Sequence, residues 1–209
     1  MNATVIAIET VAPKLVKLTA ELDNTVDHRA GQYTVFSIDG VEGQAYYSIA
    51  SIPADQPHLT FLIRLGDSAL DVATAALSVG DRLNISDPAG NFAPASDGDA
   101  LIFVGGGTGI APLLAMLRQL VADNDPRRLR LVYGIRGPEE LSFEEELEAL
   151  RQAGVNVRIV EGEPVQLMDH DLAGIAPRLH LCGSKAMIEA LSTQANEAGV
   201  DRIITEFGR

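Results

Sequence analysis

Glycine is concentrated in the segment VGGGTGIAP, residues 104–112, which lies between two apolar runs. The run before it predicts a strand and the run after it a helix, and the missing Cβ atoms allow the turn between them to approach a diphosphate. The spacing differs from G-x-G-x-x-G, which would require glycine in place of Ile110, and the next strand ends without an acidic residue to hold a ribose. We therefore predict a nucleotide-binding turn of another type, with a purely structural reversal as the alternative. The glycines are Gly105, Gly106, Gly107 and Gly109.

A second turn of the same kind occurs in the segment LCGSKAM, residues 181–187. A strand ends there with Cys182 and Gly183, and a helix begins at Ser184. The carboxyl ends of parallel strands open onto one edge of their sheet, so the two turns predict a single cleft. As a lone cysteine at a strand end, Cys182 is equally compatible with simple core packing.

The composition narrows the classes of function. The chain has 209 residues, 46% of them hydrophobic, and a formal net charge of -13, which disfavours binding to nucleic acids or anionic membranes through a general basic surface. It contains no basic leader followed by an apolar run and no uninterrupted apolar stretch of membrane-spanning length, so we predict a soluble, cytoplasmic protein. A single cysteine cannot hold an iron-sulfur cluster, so any such cluster must belong to another chain.

The positions of strand-like and helix-like segments predict two domains. Up to about residue 92, short β-rich runs separated by turn residues predict an antiparallel barrel or sandwich, interrupted by one helix over 68–77 whose start could dock an anion. From Asp99 onward, strands alternate with helices, which predicts a parallel sheet covered by helices. The spacing of Ser142 and Glu145 predicts a capping box on one of these helices. We place a β-barrel domain at residues 1–97 and a nucleotide-binding α/β domain at residues 98–209.

Seven segments, in this order along the chain, carry a family resemblance. They are RAGQY, YYSIAS, GDRLNISDPAGNF, GGGTGIAP, YGIR, CGSKAM and a terminal EFG. The set resembles the ferredoxin-NADP reductase family of flavin-dependent oxidoreductases over essentially the whole chain. The resemblance implies FAD on the N-terminal antiparallel β-barrel, NADPH or NADH on the C-terminal parallel-sheet domain, and hydride transfer between the cofactors where the domains meet.

The resemblance assigns the flavin contacts residue by residue. The family motif Arg-x-Tyr-Ser/Thr is matched by Tyr47, which would pack near the flavin, and by Ser48, whose hydroxyl would reach its N5 edge. Ala45 stands where the arginine of the motif contacts the flavin diphosphate, and losing such a contact weakens binding by roughly ten- to a hundredfold. Arg64 is the candidate substitute, or else an ordinary exposed strand arginine. The other residues assigned to the flavin are Ile49, Gly66 and Ser68.

The nicotinamide contacts follow in the same way. Cys182 would lie beside the nicotinamide C4, and Arg136 suits a 2′-phosphate, which favours NADPH while leaving NADH open. Glu206 and Phe207 resemble the terminal segment that lies over the flavin in many relatives, where Glu206 would relay a proton. The catalytic candidates are Ser48, Cys182 and Glu206. The remaining nucleotide-binding candidates are Gly106, Gly107, Thr108, Gly109, Pro112, Gly183 and Ser184.

Three functions are compatible with these residues and with the family resemblance. The first is an NAD(P)H-dependent reductase that passes electrons through flavin to a separate ferredoxin-like or oxygenase partner. The second is an NAD(P)H:flavin reductase that treats a loosely held flavin as a substrate, which Ala45 favours. The third is a non-catalytic binding subunit with a decayed cofactor site. No metal site is predicted, since the residues DHD at 169–171 are better explained as a solvated loop.

Overall fold

The chain divides into two compact units, Met1–Asn91 and Phe92–Arg209. The structure, a computed structural model, describes residues 1–172, 176–200 and 202–207. Gly208, the last residue of the quoted EFG segment, lies outside this range. None of the helices in the described ranges is long and apolar enough to cross a membrane.

The first unit is an antiparallel, barrel-like sheet of six strands, as the sequence predicted. The strand order is β4-β3-β6-β1-β2-β5, and beyond the end of β4 the N–H of Ala50 donates to the carbonyl of Thr60 in β5 at 2.8 Å. Inward-facing side chains alternate along the strands and form one core that includes Phe36 and Phe61. The elements are β1 Asn2–Ala12, β2 Leu15–Leu22, β3 Tyr33–Ser37, β4 Ala45–Ser48, β5 His58–Arg64, α1 Ala69–Ala75 and β6 Arg82–Ile85.

The second unit is a parallel five-stranded sheet with helices, which confirms the predicted fold class. The strand order is β11-β10-β7-β8-β9, with a core that includes Ile102, Val104 and Leu181. The elements are β7 Ala100–Gly106, α2 Ile110–Ala122, β8 Arg128–Ile135, α3 Glu144–Gln152, β9 Asn156–Glu161, β10 Pro177–Gly183, α4 Lys185–Glu197 and β11 Ile203–Phe207.

The segment that precedes β7 belongs to the second unit, although the sequence placed residues 92–97 in the first domain. The N–H of Ala95 donates to His180 Nε2 at 2.9 Å, and Arg127 donates to the carbonyl of Ala95 at 2.6 Å. These bonds attach the segment to β10 and to the residue before β8. The composition of the segment, which is small and polar, carries no sign of this attachment.

The predicted capping box on α3 is wrong. The N-cap of α3 is Phe143, which has φ 64° and no side-chain cap, and the hydroxyl of Ser142 donates instead to the carbonyl of Glu140 at 3.1 Å. Phe143 and Ser142 are both buried. Packing of the aromatic ring therefore decides where this helix begins, against the local preference for a serine cap.

Candidate functional site

The carboxyl ends of β7 and β10 lie side by side at the point where the chain changes direction across the sheet. From β7 the chain proceeds through β8 and β9 on one side, and it returns to place β10 and β11 on the other. Cys182 pairs with Gly105 in parallel register. Open α/β sheets bind ligands in the crevice at such a switch point. The structure thus brings the two predicted turns to one crevice.

Cys182 is enclosed at this edge. Only 1% of its surface is exposed, and its register partner on β11 is Glu206. Burial, and next the nearby Glu206 carboxylate, raise the pKa of the Cys182 thiol to about 12. The thiol therefore stays protonated near neutral pH and serves as a small, polarisable, uncharged group.

Native Cys182 is expected to resist alkylation. Because the thiolate is the reactive form and the side chain is buried, iodoacetamide at neutral pH should leave the folded protein unmodified. The chain has one cysteine, so mass spectrometry reports this residue alone. Modification in guanidinium chloride is the positive control. Labelling of the native protein as fast as that of the unfolded chain would contradict the burial described here.

Close packing explains two glycines of the first turn. A Cβ on Gly109 would overlap the backbone carbonyl of Cys182, and a Cβ on Gly105 would lie 2.9 Å from Leu113 Cδ1. The missing side chains let the turn fit against β10 at Gly109 and against α2 at Gly105, whatever the turn binds. The structural explanation for this glycine cluster is correct at these two positions.

Gly106 and Gly183 face one side chain that the sequence analysis did not single out. A Cβ on Gly106 would lie 2.7 Å from Met187 Sδ, and one on Gly183 would lie 3.1 Å from the same atom. Met187 is half-buried in the first turn of α4, and its side chain leans back over the start of the helix, as helical side chains do. Its thioether therefore covers the two glycines that would line a nucleotide seat.

For a nicotinamide dinucleotide to enter this crevice, the Met187 side chain would have to rotate. The two glycines form a cradle that any Cβ would fill, and the atoms now in it belong to the end of a flexible, unbranched side chain. The segment CGSKAM could have indicated this contact. A methionine three residues after the N-cap Ser184 directs its side chain back toward the end of β10.

The other residues assigned to the nucleotide surround the same edge. Thr108 is half-buried in the 3-10 turn that joins β7 to α2, and Pro112 is buried in the first turn of α2. The hydroxyl of Ser184 accepts the N–H of Met187 at 3.3 Å and so caps α4. Arg136 is exposed immediately after β8. Their contacts with a nucleotide stay predictions.

The terminal pair lies in β11. Glu206 is opposite Cys182, and Phe207, which is 55% exposed, is opposite Gly183. The structure therefore places Glu206 and Phe207 beside Cys182 and Gly183, at the same edge of the parallel sheet. Their predicted position over a flavin stays a prediction.

In the first unit, the assigned flavin residues lie on and after β4. Tyr47 packs edge-on against Phe36 with ring centroids 5.4 Å apart, and burial, followed by the charge of Asp71, raises the pKa of its hydroxyl to about 12. Ser48 is half-buried opposite Tyr33. Ile49 is 1% exposed within the core. The side chain of Ile49 is thus committed to packing, and the contacts of all three with flavin stay predictions.

The turn after β5 contains the residues assigned to the flavin diphosphate, and a carboxylate of the chain occupies it. Asp71 Oδ2 accepts from the N–H of Ser68 at 3.1 Å and from its hydroxyl at 2.6 Å. Burial by itself raises the pKa of Asp71, but hydrogen bonds from the Ser68 side chain and from the backbone of Gly66 and Ser68 outweigh it and hold that pKa below its usual range. Arg64 is half-buried at the end of β5. Phosphate oxygens do not fit this turn as it stands.

No group of three or more His, Cys, Asp or Glu side chains in the described ranges could hold a metal ion. The solvated-loop interpretation of residues 169–171 is nevertheless wrong for Asp171. It is 3% exposed, forms an ion pair with Arg158 and accepts the N–H of Met168 at 2.9 Å. It holds the segment after β9 in place.

Comparisons with known proteins agree with this architecture. Residues 103–166 match the family model described as the oxidoreductase NAD-binding domain. Methane monooxygenase component C of Methylosinus trichosporium is 33% identical over 175 residues, which are 77% of this chain and 51% of that protein. The ferredoxin–NAD(P)+ reductase component of the naphthalene 1,2-dioxygenase/salicylate 5-hydroxylase systems of a Ralstonia species is 29% identical over 217 residues, 96% of this chain and 66% of that protein.

Among solved structures, a ferredoxin NADP+ reductase from Neisseria gonorrhoeae with bound FAD and NADP matches with a TM-score of 0.82. The identity is 21%, and the match covers 100% of this chain and 98% of that one. This match covers both units, so the shared fold includes both. The two relatives named above are longer than the chain, which spans 51% and 66% of their lengths. The order of sequence motifs, the two sheets and these matches together support assignment of the chain to the ferredoxin-NADP reductase family of FAD/NAD(P)-binding oxidoreductases.

Proposed function

We propose that the chain is an NAD(P)H-dependent flavin oxidoreductase that passes electrons through FAD to a separate acceptor, an iron-sulfur protein such as a ferredoxin or an oxygenase component. The observation that carries the proposal is the register that places Cys182 between Gly105 and Glu206 at the switch point. The two relatives named above are components of oxygenase systems, and the chain spans 51% and 66% of their lengths. A cytoplasmic location belongs to the proposal, and the free thiol of Cys182 is compatible with a reducing compartment.

The second unit would hold and orient the nicotinamide nucleotide. Met187 would move aside, the turn containing Gly106 and Gly107 would lie against the diphosphate, and the uncharged thiol of Cys182 would leave room beside the ring. Glu206, opposite Cys182, could accept or deliver a proton there. When bound, the two cofactors supply the hydride donor and an acceptor able to release electrons one at a time.

The first unit would position the flavin through Tyr47 and Ser48. The Tyr47 hydroxyl stays protonated near neutral pH because its pKa is about 12, so it can donate a hydrogen bond. Ser48 lies at the end of β4, where its hydroxyl can act as donor or acceptor.

A second function is favoured by the turn after β5. With Ala45 in place of the motif arginine and Asp71 closing the turn, the flavin would be held weakly and would exchange as a substrate. That is the NAD(P)H:flavin reductase alternative.

The test is the visible spectrum of the purified chain, followed by NADH and NADPH oxidation with and without added flavin and with a panel of acceptors. Stoichiometric bound flavin supports the first function, and a colourless protein active only with added flavin supports the second. Gly106 is in an extended conformation, φ −124° and ψ 130°, so a Gly106→Val variant should fold, fill the crevice and lose activity. A protein inert under every condition, or an unaffected variant, overturns the proposal.

A further inference from the structure

We propose that Asp71 determines flavin specificity, by occupying the hydrogen-bond donors of the Gly66–Ser68 turn so that flavins are held through the ring and ribityl chain with little contribution from phosphate. This inference rests on the proposed function, in which the first unit binds flavin. It concerns which part of the flavin the protein recognises.

Asp71 occupies three hydrogen-bond donors of the turn, which are the N–H groups of Gly66 and Ser68 and the Ser68 hydroxyl. Its Oδ2 atom accepts the N–H of Ser68 at 3.1 Å and the hydroxyl of Ser68 at 2.6 Å, and the backbone of Gly66 also hydrogen-bonds to the carboxylate. In return, the N–H of Asp71 donates to Ser68 Oγ at 3.1 Å, which completes a capping box. A Cβ on Gly66 would lie 2.9 Å from Asp71 Oδ2, so the carboxylate covers the face that this glycine leaves open.

The positive charge available to a phosphate at this turn is limited, and the charge of Lys14 already acts on Asp71. Ala45, where the motif has arginine, packs against the core of the first unit. Lys14 Nζ forms an ion pair with Asp67 Oδ1 at 2.8 Å. Arg64 has an interaction of its own. A phosphate here would meet the Asp71 carboxylate at close range.

A bound phosphate would therefore have to displace Asp71 to reach the same donors. The donors would exchange one anion for another, so the charge-assisted bonds formed would be matched by those broken. The displaced carboxylate would also stay close enough to repel the phosphate. The net contribution of phosphate to affinity is expected to be small.

The turn is adjacent to the residue assigned to the flavin ring. After burial, the charge of Asp71 is the second cause of the raised pKa of Tyr47, which places the carboxylate near that hydroxyl. One flavin molecule could therefore approach both residues within the first unit.

The experiment measures dissociation constants of riboflavin, FMN and FAD for the full chain by quenching of flavin fluorescence. In the wild-type protein, the three constants should agree within roughly tenfold, since one productive phosphate contact would separate them by about ten- to a hundredfold. In Asp71→Ala, FMN and FAD should bind roughly tenfold or more tightly than before, while riboflavin stays unchanged.

The control is Asp67→Ala, which removes an equal charge four positions before Asp71 but leaves the Asp71 contacts intact. It should change the constants little, because Asp67 is exposed and its charge is screened. If the alanine variant folds poorly, Asp71→Asn can replace it, because asparagine keeps an acceptor for the helix cap. This variant should give a smaller gain in affinity for FMN and FAD. Thermal melts establish that each variant is folded.

Three results separate the possible failures. Wild-type protein that binds FMN far more tightly than riboflavin overturns the role of Asp71, as does an Asp71→Ala variant that shifts all three flavins equally. Failure to bind any of the three flavins, riboflavin included, overturns the proposed function and this inference with it.

Discussion

The Gly109→Ala variant is expected to lose about 3 kcal/mol or more of unfolding free energy in the second unit. The new Cβ would overlap the backbone carbonyl of Cys182. That carbonyl cannot retreat easily, because β10 is held between β7 and β11 by parallel pairing on both sides. Gly109 itself has φ −61° and ψ −12°, which any residue adopts, so the cost is one of overlap and involves no backbone strain.

The matched control for this prediction is Gly106→Ala in the same turn. There the Cβ would meet only the end of the Met187 side chain, with Sδ at 2.7 Å, and this flexible side chain can move away. Urea denaturation followed by circular dichroism should show a much smaller loss than in Gly109→Ala. Equal losses in the two variants would mean that the turn does not pack against β10 as described.

Acidification is expected to destabilise the second unit through His180. This side chain is fully buried, stacks on Phe103 with ring centroids 4.6 Å apart, and accepts the N–H of Ala95 through Nε2. Burial lowers its pKa from 6.5 to about 4. Between these values the unfolded chain binds more protons, so stability falls as the pH drops from 6.5 toward 4. The full loss of unfolding free energy over this pH range amounts to about 3 kcal/mol.

The measurement compares unfolding free energies of wild type and His180→Gln at neutral pH and near the lower pKa. Glutamine retains an acceptor for Ala95 but does not titrate in this range, so its stability should depend less on pH. His58→Gln is the control, since His58 is an exposed histidine at the start of β5. Parallel pH dependence in wild type and His180→Gln would show that His180 is not the titrating group.

Several parts of the site could be predicted because they depend on local pattern. The alternation of strands and helices after Asp99 predicted the parallel sheet, and the two glycine-containing strand ends predicted that Gly105 and Cys182 meet at one edge. Parallel strands of one sheet share an edge regardless of the side chains that cover them, so this prediction needed no knowledge of packing.

Other parts depended on contacts between residues distant in sequence. The attachment of Ala95 to His180, the Asp171–Arg158 ion pair and the start of α3 at Phe143 all follow from burial, which residue type alone does not specify. In each case, a buried polar or aromatic group found a tertiary partner that overrode the local preference.

The family resemblance, the two kinds of sheet and the edge at which the nucleotide turns lie could all be inferred from sequence, because periodicity and glycine spacing are local properties of the chain. The groups that occupy the candidate sites became visible in the three-dimensional fold, which places Met187 over Gly106 and Gly183 in one unit and Asp71 on the Gly66–Ser68 turn in the other. Hydrogen-bond donors and the space beside a glycine are filled by whichever side chain the fold brings close to them. The identity of that side chain depends on contacts between residues that can be distant in sequence.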